Sequence, residues 1–243
     1  SEHFDRYYAG QYRAHLVENR LPAAFTEAVP RPARSAQSPN PKARPLRLGW
    51  IGILRCQRTL DLLMLAAKEF GAEIDIRVHG KPDLWNIPTF HETVETAENV
   101  TFYGAYKAPE DLPDIYGDLD VIWSGDFMEA GLNSNWLLPN RIYEGGYFAV
   151  PAIAPAETQT GAWIKNNQSG FLVAEPIEQD LIAVLGDLIQ SREQIENRRE
   201  ALINLPTIAL VEPKEFLREV LDQMLVLEEA PEAAAPTGYP ENA

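Results

Sequence analysis

From Leu46 to about Leu227 the chain alternates short apolar runs with segments of helical period, and few architectures accept that alternation. Leu46–Ile53 (LRLGWIGI) is almost continuously apolar, as expected of a strand covered on both faces. Thr59–Phe70 has helical periodicity and stops at Gly71. Further strands are expected at Ile74–His79, Asn99–Tyr103, Leu119–Ser124, Val150–Ala154 and Gly170–Val173. Helices are expected at Pro109–Tyr116, Pro139–Phe148, Leu181–Ile189, Glu193–Leu202 and Glu215–Leu227, with a helical turn at Gly161–Asn166. Strand–helix alternation of this kind makes right-handed crossovers, so the expected class is α/β: one parallel sheet with helices on both faces.

The flanks differ in composition. Residues 1 to about 25 read as helix, with Phe4, Tyr7, Tyr8, Tyr12, Leu16 and Leu21 near helical spacing. Residues 26 to 45 read as a linker, since Pro30–Pro45 holds five prolines in sixteen residues. Residues 228 to 243 are Ala-, Pro- and Glu-rich, too poor in apolar bulk to pack, and read as a disordered acidic tail. Among 243 residues, 21 Lys and Arg face 36 Asp and Glu, a net charge of −15. A field of that sign repels phosphate backbones, so a nucleic-acid partner is not expected. No stretch approaches a transmembrane segment in length, and no signal peptide is visible. The single cysteine, Cys56, suits a reducing compartment.

In a parallel sheet of this kind ligands bind beyond the carboxyl ends of the strands, so the informative loops follow Ile53, His79, Tyr103, Ser124 and Ala154. The first, Leu54-Arg55-Cys56-Gln57-Arg58, sets two arginines where a helix dipole and free N–H groups favour an anion. They read equally as solvated side chains or as a phosphate site. Neither G-x-G-x-x-G nor a P-loop is present. The fourth loop is long and enters a helix through Pro139-Asn140-Arg141-Ile142-Tyr143-Glu144-Gly145-Gly146. Proline preorganises a first turn, and Gly-Gly inside a helix implies close backbone approach to a strand or ligand. Arg141 and Glu144, three residues apart, read either as a local ion pair or as a phosphate and ribose site.

The stretch Leu138–Ala154 (LPNRIYEGGYFAVPAIA) resembles the P-N-K-hydrophobic-Y/F-E…G-x-P-V-I-A signature of retaining GT-B glycosyltransferases of the family 4 type. Asn99–Gly104, Leu112–Ser124 and Ser169–Val173 resemble further segments of that family in the same order. The resemblance implies a Rossmann-like, three-layer nucleotide-sugar-binding domain over residues 46–227, the donor half of a two-domain enzyme. It makes the N-terminal helix the exit from an absent acceptor domain and the last helix the crossover back to it. It implies that Arg55, Arg58, Asn140 and Arg141 hold the donor diphosphate and that Glu144 binds the ribose. Tyr103, Gly104 and Tyr106 would border the base, and Asn133, Asn135 and Trp136 would lie in the donor-sugar loop. Where many members carry a second glutamate eight positions before Glu144, this chain has Trp136. The implied reaction is metal-independent, retaining transfer from a nucleoside-diphosphate sugar to a glycan or lipid-linked acceptor. No resident cofactor is implied, and the catalytic group would belong to the missing half. The expected place is the cytoplasm, peripheral to the inner face of a membrane if the acceptor half docks there.

Other constellations are weaker. Asp118-Leu119-Asp120 has D-x-D spacing but precedes a strand, so capping or solvation is favoured over metal. His3, His15, His79 and His91 lack metal spacing, and His79 ends a strand at the functional edge. Trp85 and Trp123 read as core. Two other functions stay open: an interaction module that kept the fold and lost the chemistry, and half of a nucleotide-sugar epimerase.

Overall fold

The structure, a computed structural model, describes residues 17–31 and 44–228. It opens with strand β1 (Leu21–Pro22) and helix α1 (Ala23–Ala28). There follow β2 (Leu46–Leu54), α2 (Gln57–Phe70), β3 (Ile74–Pro82), α3 (Phe90–Glu95), β4 (Val100–Gly104), α4 (Leu112–Gly117) and β5 (Val121–Trp123). Next come α5 (Asn133–Trp136), α6 (Asn140–Tyr147), β6 (Ala152–Pro155), α7 (Gln159–Asn167) and β7 (Gly170–Val173). The described chain finishes with α8 (Ile177–Gln190), α9 (Glu193–Asn204), β8 (Val211–Glu212) and α10 (Phe216–Glu228).

Strands β2 to β7 form one six-stranded parallel sheet in the order β4-β3-β2-β5-β6-β7. The chain builds outward from β2 to β4, returns to the middle at β5 and builds the other way. The strands on either side of that reversal send their loops to opposite faces, which opens a crevice at the carboxyl ends. Apolar clusters cover both faces. Leu46, Leu48 and Trp50 of β2 pack with α2, α3 and α8, while Ile51 and Ile122 pack with α4 and α6. The unbroken apolar character of LRLGWIGI thus serves two cores at once.

The Gly-Gly pair of α6 does what its position implies toward the sheet. A side chain at Gly145 would strike Ile122 of β5, and one at Gly146 would strike Leu210. Gly145 lets α6 lie directly on β5 next to the crevice, and Gly146 lets its other side meet Leu210 and Leu202. At the crevice floor Gly52 and Gly80 are register partners with φ of +115° and +139°. A side chain at Gly80 would collide with the Gly52 carbonyl, so both positions require glycine.

Several expectations change. Leu21 is not helical: it pairs in parallel with Val211, and its N–H donates to the Leu210 carbonyl at 2.9 Å. The helix in this region starts two residues later, and Thr26–Ala28, expected as linker, belong to it. Phe25 packs edge-on against Tyr147 at 5.2 Å, and Arg31 donates to the carbonyls of Leu205 and Leu202. This segment is therefore a clamp on α6 and α9. The expected helix over 1–16, the linker over 32–43 and the tail beyond 228 lie outside the described residues. Pro139 caps α6 from outside instead of forming its first turn. Helix α7 runs nine residues instead of a single turn, with the Thr158 hydroxyl accepting from the Gly161 N–H at 3.0 Å. Trp123 is buried as expected, but Trp85 is 92% exposed, in a turn pinned by the Asp83 carboxylate. Among the described residues no helix is long and apolar enough to cross a membrane.

The Asp118-Leu119-Asp120 spacing is structural. Asp120, buried at the amino end of β5, accepts both guanidinium nitrogens of Arg44 at 2.7 and 2.8 Å and the Arg47 N–H at 2.9 Å. Arg192 and Arg199 also reach it, at 3.4 and 3.5 Å. Asp118 pairs with Arg47 and Arg77. Removing one member of a buried ionic group strands the others without compensation. Asp120→Ala is expected to lower unfolding free energy in urea by about 3–5 kcal/mol; a loss below about 1 kcal/mol, the ceiling for a surface pair, would contradict this placement.

Candidate functional site

Beyond the carboxyl ends of β2 and β3, and reaching the loop after β5 where strand order reverses, lies a cleft of about 710 Å³. It gathers six of the residues expected from the sequence: Arg55, Tyr106, Asn133, Asn140, Arg141 and Glu144. Five others stand outside its lining. Tyr103 stacks flat on His79 with ring centroids 4.5 Å apart, and Gly104 ends β4 at φ +83°. Asn135 is occupied by backbone, its amide donating to the Glu157 carbonyl at 3.2 Å and its oxygen accepting the Gly131 N–H at 2.6 Å. Trp136 ends the short helix α5 without entering the cleft lining. Arg58 turns away to Glu178 and Glu175, at 3.1 and 3.4 Å, with its guanidinium over the Phe127 ring. His79 does not line the cleft; burial and the nearby Arg77 charge lower its pKa. Cys56 is buried at the turn into α2.

The chemistry concentrates on the first turns of α6. Pro139 enters in extended conformation, and the first N–H groups of a helix have no partner within it. Arg141 projects inward beneath Gly52 and donates to the carbonyls of Ile51 at 3.2 Å and Gly125 at 3.3 Å. Its Nε is buried without a partner. Among the described residues no carboxylate lies within ion-pair distance of it, and burial lowers its pKa, so the charge is held in an unfavourable setting. Glu144, one turn on, is 8% exposed. It does not pair with Arg141. Its Oε2 accepts a 2.6 Å hydrogen bond from the Tyr116 hydroxyl. Burial pushes the Glu144 pKa up, against the Tyr116 bond and the Arg141 charge. Burial and the Glu144 carboxylate push Tyr106 up to about 12.

Sequence reasoning assigned no role to Asp126, which organises the opposite wall. Its carboxylate accepts from Arg55 at 3.2 Å, the Ser134 hydroxyl at 2.8 Å and the Met128 N–H at 2.9 Å. Burial pushes its pKa up, but those bonds outweigh it and the net shift is downward, so it stays ionised. The signal was its place, three residues past the end of β5. Lys81, at the end of β3, and Asn19 also line the cleft. Asn19 donates to the Leu138 carbonyl at 3.0 Å, a contact across 119 residues that no local pattern announces. A second hollow, of about 390 Å³, between α7, β7, α8 and α9, contains none of the expected residues. Among the described residues no group of three or more His, Cys, Asp or Glu is placed to hold a metal ion.

No protein-family model matches the sequence. Over 173 residues it is 36% identical to the succinoglycan biosynthesis protein ExoL of Rhizobium meliloti (strain 1021), covering 71% of this chain. That match is 43% of ExoL, so the chain spans less than half of that relative. In three dimensions the chain is similar to the pneumococcal O-GlcNAc transferase GtfA, solved with UDP and GlcNAc. The TM-score is 0.61 at 16% identity, over 94% of this chain and 44% of GtfA. It is also similar to the C-terminal domain of the glycosyl transferase group 1 family protein LpcC from Francisella tularensis. There the TM-score is 0.54 at 18% identity, over 82% of this chain and 100% of that domain. The fold is that of the C-terminal domains of GT-B glycosyltransferases.

The raised pKa of Glu144 has a consequence for stability. The fold favours its protonated form, so stability from this group is greatest below the ordinary glutamate range and falls as pH rises through the raised value. Glu144→Gln keeps an acceptor for Tyr116 and removes the charge. Thermal melts at a series of pH values should find it more stable than wild type at neutral pH, with the gap closing in acid. A variant less stable than wild type at neutral pH would contradict the burial of an ionised carboxylate here.

Proposed function

We propose that this chain is the nucleotide-sugar donor-binding half of a glycosyltransferase. The reaction is metal-independent, retaining transfer from a nucleoside-diphosphate sugar to a glycan or lipid-linked acceptor. One observation carries the reading: at the start of a helix in a switch-point cleft, Arg141 holds a part-buried guanidinium that meets two carbonyls, has its Nε buried without a partner and has no carboxylate within ion-pair distance among the described residues. A buried cation without a counter-ion is costly, and an anionic ligand relieves that cost. The N-terminus of α6 favours the same sign of charge. The likeness of the sequence to ExoL and of the fold to GtfA supports the same class of ligand.

In this reading the diphosphate lies against Arg55, the first-turn N–H groups at Asn140 and Arg141, and the Arg141 charge. Glu144 accepts hydrogen bonds from the ribose hydroxyls, Tyr106 borders the base, and Asn133 faces the donor sugar. Arg55 shares its donors between Asp126 and a phosphate oxygen, which the guanidinium fork fits as well as it fits a carboxylate. Arg58 takes no part, its charge being met by Glu175 and Glu178. Neutralising the leaving diphosphate lowers the barrier to transfer, because the donors are already oriented and need no reorganisation. The acceptor and the remaining catalytic groups come from the part of the protein that this chain does not span, and the enzyme works in the cytoplasm, at the inner face of a membrane if the acceptor half docks there.

Calorimetry with UDP and GDP tests the reading directly, and micromolar binding of at least one is expected. Arg55→Ala should weaken the nucleoside diphosphate by at least about tenfold, the worth of a charged hydrogen bond, while leaving the nucleoside alone nearly unchanged. Arg58→Ala should leave both unchanged. Absence of binding at millimolar concentration, or an equal loss for diphosphate and nucleoside on removing Arg55, would refute it.

A further inference from the structure

Glu144 stands in the middle of the eight-residue helix α6, and a glutamate side chain has three rotatable bonds with which to miss a ligand. Something must hold it. The partner is Tyr116 of α4, a separate element that reaches α6 across the second core. Tyr116 is completely buried, and its ring lies parallel to that of Phe148, with centroids 5.4 Å apart and planes 11° apart. Its hydroxyl donates to Glu144 Oε2 at 2.6 Å. Among the described residues no hydrogen bond reaches Oε1, and Glu144 is part of the cleft lining. One carboxylate oxygen is thus tied to the protein interior and the other is left to the cavity.

We propose that Tyr116 is the positioning residue for Glu144: its buried hydroxyl fixes the rotamer that presents the second carboxylate oxygen to a ribose diol. The inference rests on the donor-binding reading above and adds the device that gives it selectivity for ribose. Tyr116 touches no ligand. Its pKa is raised well above the ordinary value by burial and by the Glu144 charge, so it remains a donor throughout the working pH range. The other charged or titratable groups facing Glu144 are Arg141 and Tyr106. Neither makes a hydrogen bond to it among the described residues, so the orientation depends on Tyr116. A diol donates two hydrogen bonds where a deoxyribose donates one, and the difference is lost when the acceptor oxygen swings away.

The test compares UDP with 2′-deoxy-UDP on wild type and Tyr116→Phe, by calorimetry across pH 5 to 8. Wild type should prefer the ribonucleotide. Tyr116→Phe should weaken UDP at least about tenfold more than it weakens 2′-deoxy-UDP, the worth of one hydrogen bond to a charged group. The pH at which the ribose preference disappears should rise, because the carboxylate loses a donor that favours its ionised form. Where Tyr116→Phe does not fold, 3-fluorotyrosine at position 116 keeps the ring and hydroxyl while donating more strongly, and it should move that pH downward. Equal weakening of both nucleotides would reduce Tyr116 to packing, and an unchanged preference would mean that Glu144 is held without it. Either result overturns the inference and leaves donor binding standing. Where wild type binds GDP instead, the same comparison is made with GDP and 2′-deoxy-GDP; if it binds neither diphosphate, the donor-binding reading falls and this inference falls with it.

Discussion

Two opposite charges sit one turn apart on α6, both largely withdrawn from water, and they do not neutralise each other. On an exposed helix Arg141 and Glu144 would form a local pair worth a few tenths of a kcal/mol. Here Arg141 is drawn toward the sheet by the carbonyls of Ile51 and Gly125, and Glu144 is drawn the other way by Tyr116. The separation keeps each charge available to the cleft. It also costs stability, because neither group has an ionic partner to offset its desolvation. Everything proposed for the site depends on that separation.

The two ends of the sheet handle buried charge in opposite ways. At the amino end Asp120 is held by two short bonds from Arg44 and flanked by Arg192 and Arg199 at longer range. That cluster ties the start of β2 and the start of α9 to β5, and its charges are spent on one another. At the carboxyl end Arg55 and Asp126 form a pair with room to rearrange, Arg141 lacks a counter-ion, and the carboxylate of Glu144 is disfavoured by burial. Strain of this kind collects where a ligand completes the bonding. The glycines serve the same end: Gly145 brings α6 onto the sheet, while Gly52 and Gly80 keep the crevice floor free of side chains.

The sheet was legible because its determinants are local. A near-continuous apolar run such as LRLGWIGI has few uses other than a doubly covered strand, and the intervening helices carried their own period. What failed to register was non-local. A two-residue strand at Leu21–Pro22 has no periodicity, and its partner lies 190 residues away at Val211. Trp85 read as core from its type alone, yet its turn is set by the small, polar Asp83 and the side chain is left outside. Within the site, Arg55 and Arg58 looked equivalent from spacing. They part because Glu175 and Glu178, far along the chain, come to rest beside only one of them. Glu144 and Arg141 could be picked out from the resemblance, but their separation could not, since it depends on Tyr116, Ile51 and Gly125 from three other elements.

The account reduces to the claim that the α6 cleft, with its unpaired arginine, receives a nucleoside diphosphate. A crystal structure of this chain with UDP tests that most directly. The account predicts the diphosphate against Arg55 and the first turn of α6, with the ribose hydroxyls on Glu144. A diphosphate bound instead in the hollow beside Lys165 and Arg198, or a ribose turned away from Glu144, would contradict it.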